Sequence, residues 1–498
     1  MESRLRALCD LSVPTVREYS GRHEYDGVVQ DLSAAGVARA LAALGGPALA
    51  DSHDDAHLAA FEEATRVVYG ELEQHRSNPL YHVANLDLAC YEREYAPLAE
   101  REQARAKHVA GWPEAIDAAV TTLDAVAAPI AAATLGAARG LGSGLRPGDG
   151  GSEDAALTAH FRLVQHLTGL ARTGSPDTSL GGPALARLLG SSEALPVDLD
   201  ALAGRADAER DRLRAMLTEA CARIAPGERV EAVVAQLLAD HPDAEGVLTE
   251  ARQLTAEVIE WTERHQLAPF HDGECLVGPA PESRQWSMAM MSWAAPGEPA
   301  GPSWYHVTPP SPQWPEEEQR EWLQVFSAAT LPAITVHEVA PGHYSHGVAL
   351  RHVDSPVRRT LLGEAFIEGW AHYTEEMALD EGFRAGDARY AAGVAIEALV
   401  RVTRLACSIG LHTGTMTVRD ATRRFEADAF LAGPAASSEA QRGTFDPTYG
   451  RYTWGKLAIL DLREKARRQW GSDFSLPRLH RALLELGAPP LGLMDAAL

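Results

Sequence analysis

The chain has 498 residues, 69 acidic against 45 basic, for a formal charge of −24. That length allows a large buried core and two or three domains or lobes, while the acidic excess repels a phosphate backbone or an anionic lipid surface, which argues against nucleic acid or a membrane as partner. Five cysteines (Cys9, Cys90, Cys221, Cys275 and Cys407) are odd in number and never at metal-ligand spacing, so free thiols in a reducing, cytoplasmic compartment are expected.

In chain order, residues 1–20 carry charges throughout and do not read as a secretory leader. From Tyr25 to about Ile259 apolar residues recur at three- and four-residue spacing, which predicts helices over 36–44, 58–75, 86–108 and 112–135. Overlapping the last, the apolar run 125–138 is interrupted by Pro129 and falls short of the roughly 20 residues that cross a bilayer. Glycine then dominates (Gly140, Gly142, Gly144, Gly148, Gly150, Gly151), with no strand before it and no Gly-Lys-Ser/Thr end, so a mobile loop is expected rather than a phosphate cradle. Helices are predicted again over 154–170, 208–224, 229–240 and 244–266. After Pro269 the aromatic segments 286–293 and 303–308 predict two strands joined by a loop over 294–302. Such a pair is either a structural hairpin or an edge that holds an extended peptide by main-chain hydrogen bonds. Residues 315–331 predict a helix with Glu316, Glu317 and Glu318 at the positive end of its dipole.

The next stretch, His337-Glu-Val-Ala-Pro-Gly-His343, is an interrupted zinc motif. In the uninterrupted form two histidines four apart share a helix face and the glutamate beside the first serves as general base. Six residues correspond to about 240° of rotation and about 9 Å of rise, so a straight helix keeps His337 and His343 apart. Pro341 has no N–H for the carbonyl of His337, and Gly342 accepts unusual backbone angles. The chain can therefore widen or turn after Ala340 and return His343 to the side of His337.

A catalytic zinc needs a third protein ligand and an open position. Residues 361–377 predict a helix with Glu364, Glu368, His372 and Glu375 on one face, amid aromatic residues. Glu368 is the expected third ligand. Glu364 and Glu375 are placed to orient the histidines, and His372 is either a partner of theirs or exposed.

The paired segments His337 to His343 and Glu364 to Glu375 resemble the bacterial family known as domain of unknown function 885. Looser likeness extends over Tyr19 to Gly27, Arg404 to His412, Tyr449 to Lys456, Phe474 to Leu483 and Gly487 to Leu491, most of the chain. The resemblance implies a mostly helical, gluzincin-like zinc metallopeptidase, with His337, His343 and Glu368 on one zinc ion and Glu338 as base. The chain departs from the family pattern at Ser408-Ile409, where Asp-Thr is usual, at His372, where an apolar residue is common, and over 447–455, which is one residue shorter.

The expected reaction is hydrolysis of an amide bond in a short peptide, with Glu338 taking a proton from a zinc-polarised water and passing it to the leaving amine. A donor from another element should meet the oxyanion, and His412 and Tyr452 are the candidates. Arg404 and Arg451 are candidates for a substrate carboxylate. Two other readings stay open: a zinc-dependent amidase acting on a small metabolite, and a helical scaffold without catalysis. The expected architecture is mainly α and two-lobed, a helical lobe over 1–280 and a catalytic lobe over 281–498, with a small sheet beside the zinc site. Substrate sequence and oligomeric state are not legible.

Overall fold

The computed structural model describes residues 3–146, 148, 151–281, 284 and 287–498. Trp286 of the first predicted strand and Gly150 of the glycine run lie outside the described residues. The protein is mostly helical, with one small three-stranded sheet. Many helices begin where a short polar side chain caps a free N–H: Ser33 accepts from Gly36, Asp198 from Asp200 and Ala201, Asp243 from Gly246, and Thr417 forms a reciprocal box with Asp420.

Four predicted boundaries are corrected. The helix expected over 86–108 starts at Leu98, after a one-turn segment Ala89–Glu92, and runs through Pro113 to Thr122. Burial of Val109, Trp112 and Ile116 on one stripe carries it past the proline. The pattern read over 112–135 resumes as a separate helix, Ala128–Gly140, with Pro129 in the first turn, where its missing N–H costs nothing. The helix expected from 208 begins at Leu199 behind the Asp198 cap. The helix over 315–331 is Glu316–Gln324, and Leu331–Glu338 starts anew with Pro332 in its first turn. Part of the glycine stretch also forms a short turn of helix, Leu141–Gly144.

The sheet comprises β1 (Cys275–Gly278), β2 (Ala289–Ser292) and β3 (Ser303–Val307) in the order β1-β3-β2, with β1 parallel and β2 antiparallel to β3. The β2–β3 pair is the predicted hairpin, while β1 was not expected from the sequence. Tyr305 on β3 is buried, its hydroxyl 3.4 Å from that of Thr335 on the Leu331–Glu338 helix.

The largest core joins buried residues from Leu185 to Ala497 and so crosses residue 280. A second core, Leu86 to Leu167, belongs to the N-terminal helices. The Tyr19 to Gly27 segment fastens these parts together, its Gly27 N–H donating to the hydroxyl of Tyr91 in the second core at 2.9 Å. Ser20 donates to the carbonyl of Thr360 (2.7 Å), the Trp293 indole N–H donates to the carbonyl of Tyr19 (3.0 Å), and His23 lies 3.2 Å from both Asp26 and Glu298.

Two helices, Glu364–Asp380 and Arg451–Trp470, cross where both present glycine. A Cβ on Gly369 would lie 2.4 Å from the Cα of Gly455, and one on Gly455 would lie 1.9 Å from the carbonyl oxygen of Ala365. Glu368 directly precedes Gly369 in one helix, and Tyr452 stands about one turn before Gly455 in the other. The buried ammonium of Lys456 lies 2.7 Å from Glu376 and 3.0 Å from Glu209, tying the Leu199–Ile224 helix to the same crossing.

Candidate metal centre

The interrupted motif is resolved by two helices rather than one. Leu331–Glu338 ends after Glu338, and His343–Arg351 begins at the second histidine. Pro341 stands at the break. At Gly342 a Cβ would lie 1.9 Å from the carbonyl oxygen of His337, so only glycine lets the chain double back this closely. Trp370 locks the turn: its fully buried indole N–H donates to the carbonyl of Pro341 at 2.8 Å. Burying such a ring contributes roughly 4–6 kcal/mol. His337 and His343 end with ring centres 4.7 Å apart and planes at 88°.

Glu368 completes the group. Its Oε2 lies 3.5 Å from His337 Nε2 and 3.4 Å from His343 Nε2, and the three ligand atoms fall within 4.8 Å of one another. Two ligand atoms each about 2.0–2.1 Å from one ion at the tetrahedral angle are about 3.3 Å apart, so the residues fit a zinc-sized ion. Burial opposes the charge on Glu368, yet the two imidazoles outweigh it and hold the carboxyl well below the usual range.

Glu375, two turns beyond Glu368 on the same helix, fixes the tautomer of His337. His337 Nδ1 donates to Glu375 Oε1 at 2.6 Å, which leaves Nε2 to face Glu368 and His343. Burial would raise the pKa of Glu375, but Arg401, His372 and His337 hold it far down. Burial and Arg401 push the imidazole of His337 down, and its bonds to Glu368 and Glu375 overcome both and raise it to about 9. His372 is buried beside Glu375, 3.4 Å from Oε2, and burial lowers it to about 4.

Glu338 follows His337 directly, is 9% exposed, and its Oε2 has no hydrogen-bond partner among the described residues. Tyr452 also reaches the group: its ring centre lies 6.4 Å from that of His337, and burial and then the charge of Glu368 raise its hydroxyl.

The other candidates are placed elsewhere. His412 is eleven residues beyond Arg401 on the Ala388–His412 helix, about 16 Å along the axis. Its Nε2 shares a hydrogen bond of 2.8 Å with the carbonyl of Gly443, and burial lowers it to about 4. It is not brought to the histidines. Glu364 does not orient them either, since its side chain is 68% exposed and 3.3 Å from Arg451. Arg404 is held by Glu439 through two hydrogen bonds (2.8 and 2.9 Å), and Arg451 by Asp446 through two of 2.9 Å.

Sequence reasoning missed Arg401, which touches Glu375 at 3.4 Å. The available signal was the polar stripe Glu397, Arg401, Arg404, Ser408 on an otherwise apolar helix.

A mostly helical protein with two imidazoles and a carboxylate converging at ligand spacing defines the class. The chain belongs to the family described as "Bacterial protein of unknown function (DUF885)", whose model matches residues 14–498. It is similar in fold to a solved protein of Shewanella oneidensis described as a "putative lipoprotein of unknown function", at 19% identity over 98% of this chain and 96% of that one, with a TM-score of 0.78. A "putative lipoprotein" of Colwellia psychrerythraea is likewise similar, at 15% identity over 99% and 97% of the two chains, with a TM-score of 0.79. Comparison with curated proteins gives no match.

Proposed function

We propose that the protein is a metal-dependent hydrolase, a gluzincin-like zinc metallopeptidase acting on short peptides. The observation that carries this reading is the convergence of His337 Nε2, His343 Nε2 and Glu368 Oε2, with the partnerless Oε2 of Glu338 one residue away. Three protein ligands without cysteine are the pattern of a catalytic rather than a structural zinc, which takes four. Held by His337, His343 and Glu368, zinc would lower the pKa of a water toward about 7 and polarise a carbonyl. Glu338 takes the proton from the attacking water and delivers it to the leaving amine. Tyr452 offers its hydroxyl to the carbonyl oxygen as negative charge grows there, a part that His412, held by Gly443, does not reach.

The sheet supplies a way to hold the substrate. β2 pairs only with β3, so its other edge is open among the described residues. The strand leads into Trp293, whose ring centre lies 6.3 Å from that of His343. An extended peptide added to this edge would run toward the histidines.

In this reading the protein works in the cytoplasm, where its five free cysteines stay reduced. The description of the two structural neighbours as lipoproteins favours an envelope address instead, and cell fractionation separates the two.

The deciding experiment measures metal content and peptide cleavage for the wild type and Glu338→Gln on a mixed peptide library. About one zinc per chain, with cleavage lost in the variant while metal is kept, supports the peptidase. Zinc without peptide cleavage moves the reading to a small-metabolite amidase, and failure to take up zinc leaves a non-catalytic scaffold.

A further inference from the structure

Arg401 lies in the middle of the Ala388–His412 helix, 7% exposed, in an environment that penalises an unpaired guanidinium heavily. Its position is explained by what it touches. Nη2 lies 3.4 Å from Glu375 Oε1, the oxygen bonded to His337, and Nη1 lies 3.5 Å from Glu375 Oε2. The planar fork thus meets both oxygens of one carboxylate, a match that the point charge of lysine reproduces only in part. Nη1 also reaches Glu397 Oε2 at 3.1 Å, which pins the fork from its far side. The guanidinium carbon stands 6.0 Å from the centre of the Tyr452 ring, within cation–π range.

These contacts link two parts of the site that come from different helices. Glu375 sets the tautomer and ring orientation of His337, and Tyr452 stands on the Arg451–Trp470 helix. Without the fork, the carboxylate of Glu375 would keep only His337 and the poorly aligned His372 as partners, and could rotate away from Nδ1. The Tyr452 ring would lose one of its two cationic neighbours, Arg404 at 5.3 Å being the other.

We propose that Arg401 is a positioning residue of the site, holding the carboxylate of Glu375 against His337 and the ring of Tyr452 beside Glu368. The proposal rests on the metal-site reading above.

The test titrates the metal-free full-length chain with Co²⁺ alone, followed by its visible absorption, for the wild type, Arg401→Met and Arg401→Lys. Arg105→Met serves as a control, since it removes another buried guanidinium, the partner of Glu153, from the N-terminal helices. Arg401→Met is expected to bind cobalt about 10–100-fold more weakly, the usual cost of losing support around a metal ligand. Arg401→Lys should recover part of that loss, and Arg105→Met should bind as the wild type does. A second readout needs no metal. The proton on His337 Nδ1 should give a far-downfield magnetic resonance signal, assigned by its absence in Glu375→Ala, and Arg401→Met should shift or broaden it. Cobalt affinity and proton signal both unchanged in Arg401→Met overturn the proposal. A wild type that takes up no cobalt counts against the metal site itself, and the proton signal still decides the role of Arg401.

Discussion

His337 donates through Nδ1 to Glu375 at 2.6 Å while its Nε2 lies 3.5 Å from Glu368, so one imidazole is held between two carboxylates. With its pKa raised to about 9, the ring keeps a second proton near neutral pH, and a metal taking Nε2 must expel it. Zinc uptake should therefore release close to one proton from this ring near neutral pH, falling to about half a proton at about pH 9, with affinity rising about tenfold per pH unit below that and levelling off above. The same proton stabilises the metal-free fold fully below pH 6.5, the ordinary histidine value, and that contribution is lost as pH rises through about 9. Calorimetry of zinc binding in buffers of differing ionisation enthalpy counts the protons. Uptake with no proton released at pH 7 would contradict this account.

Gly342 is the residue on which the turn between the two histidines depends. Its Cβ position lies 1.9 Å from one backbone oxygen and 2.4 Å from another, so Gly342→Ala must move the chain rather than a side chain. A loss of about 3 kcal/mol or more is expected, at or above the usual range for overpacking. Metal binding should fall with it, because His343 begins the next helix. Equilibrium unfolding and zinc content measure both, and a variant matching wild type in both would show that the turn relaxes freely.

Gly455 sets how closely the helix carrying Tyr452 approaches the helix carrying Glu368. Gly455→Ala would drive a methyl group into the carbonyl of Ala365, and separating the helices should cost about 3 kcal/mol or more. Gly136, inside the Ala128–Gly140 helix with nothing within 4 Å of its Cβ position, gives the contrast. Gly136→Ala should stabilise by roughly 0.5–1 kcal/mol through backbone entropy. Melting temperatures of the two variants should move in opposite directions.

The cluster of His337, His343 and Glu368 was legible because its chemistry is carried by residue types at local spacings. His337, Pro341, Gly342 and His343 lie within one turn-and-return, and Glu368 and Glu375 share one helix face. Helix content was legible for a similar reason, since an apolar stripe repeats every few residues. What the sequence hid depends on contacts between distant segments. His412 and Tyr452 were both candidates as donors, and only the Gly369–Gly455 crossing brings Tyr452 in while the length of the Ala388–His412 helix carries His412 away. Glu364 shares its helix face with Glu368, but at the helix start it meets solvent and Arg451 instead of the histidines. Arg401 was hidden because a charged residue in a helix usually faces water, and here it faces a buried carboxylate from another helix. Pro341 stands in a helix break as expected, whereas Pro113 is carried inside a helix by the buried stripe around it.

Glu193 gives a pH dependence independent of the candidate metal centre. The residue is 5% exposed, and its Oε2 accepts from the backbone N–H of Leu491 at 3.0 Å. Burial pushes its carboxyl up from 4.5 to about 8, the Leu491 bond opposing and the charge of Glu364 adding to the rise. Between those values the folded chain holds a proton that the unfolded chain has released, so this group makes stability fall as pH rises through the window. Glu193→Gln keeps an oxygen for Leu491 and cannot ionise. At pH 5 the variant should match the wild type within about 0.5 kcal/mol, and at pH 9 it should be the more stable by on the order of 3–5 kcal/mol, since each pH unit crossed in that window removes about 1.4 kcal/mol from the wild type alone. Urea unfolding of both proteins across pH 5–9 reads the difference. Curves that stay parallel would mean that Glu193 ionises in the folded protein as readily as in water, and that the Leu491 bond, rather than burial, governs it.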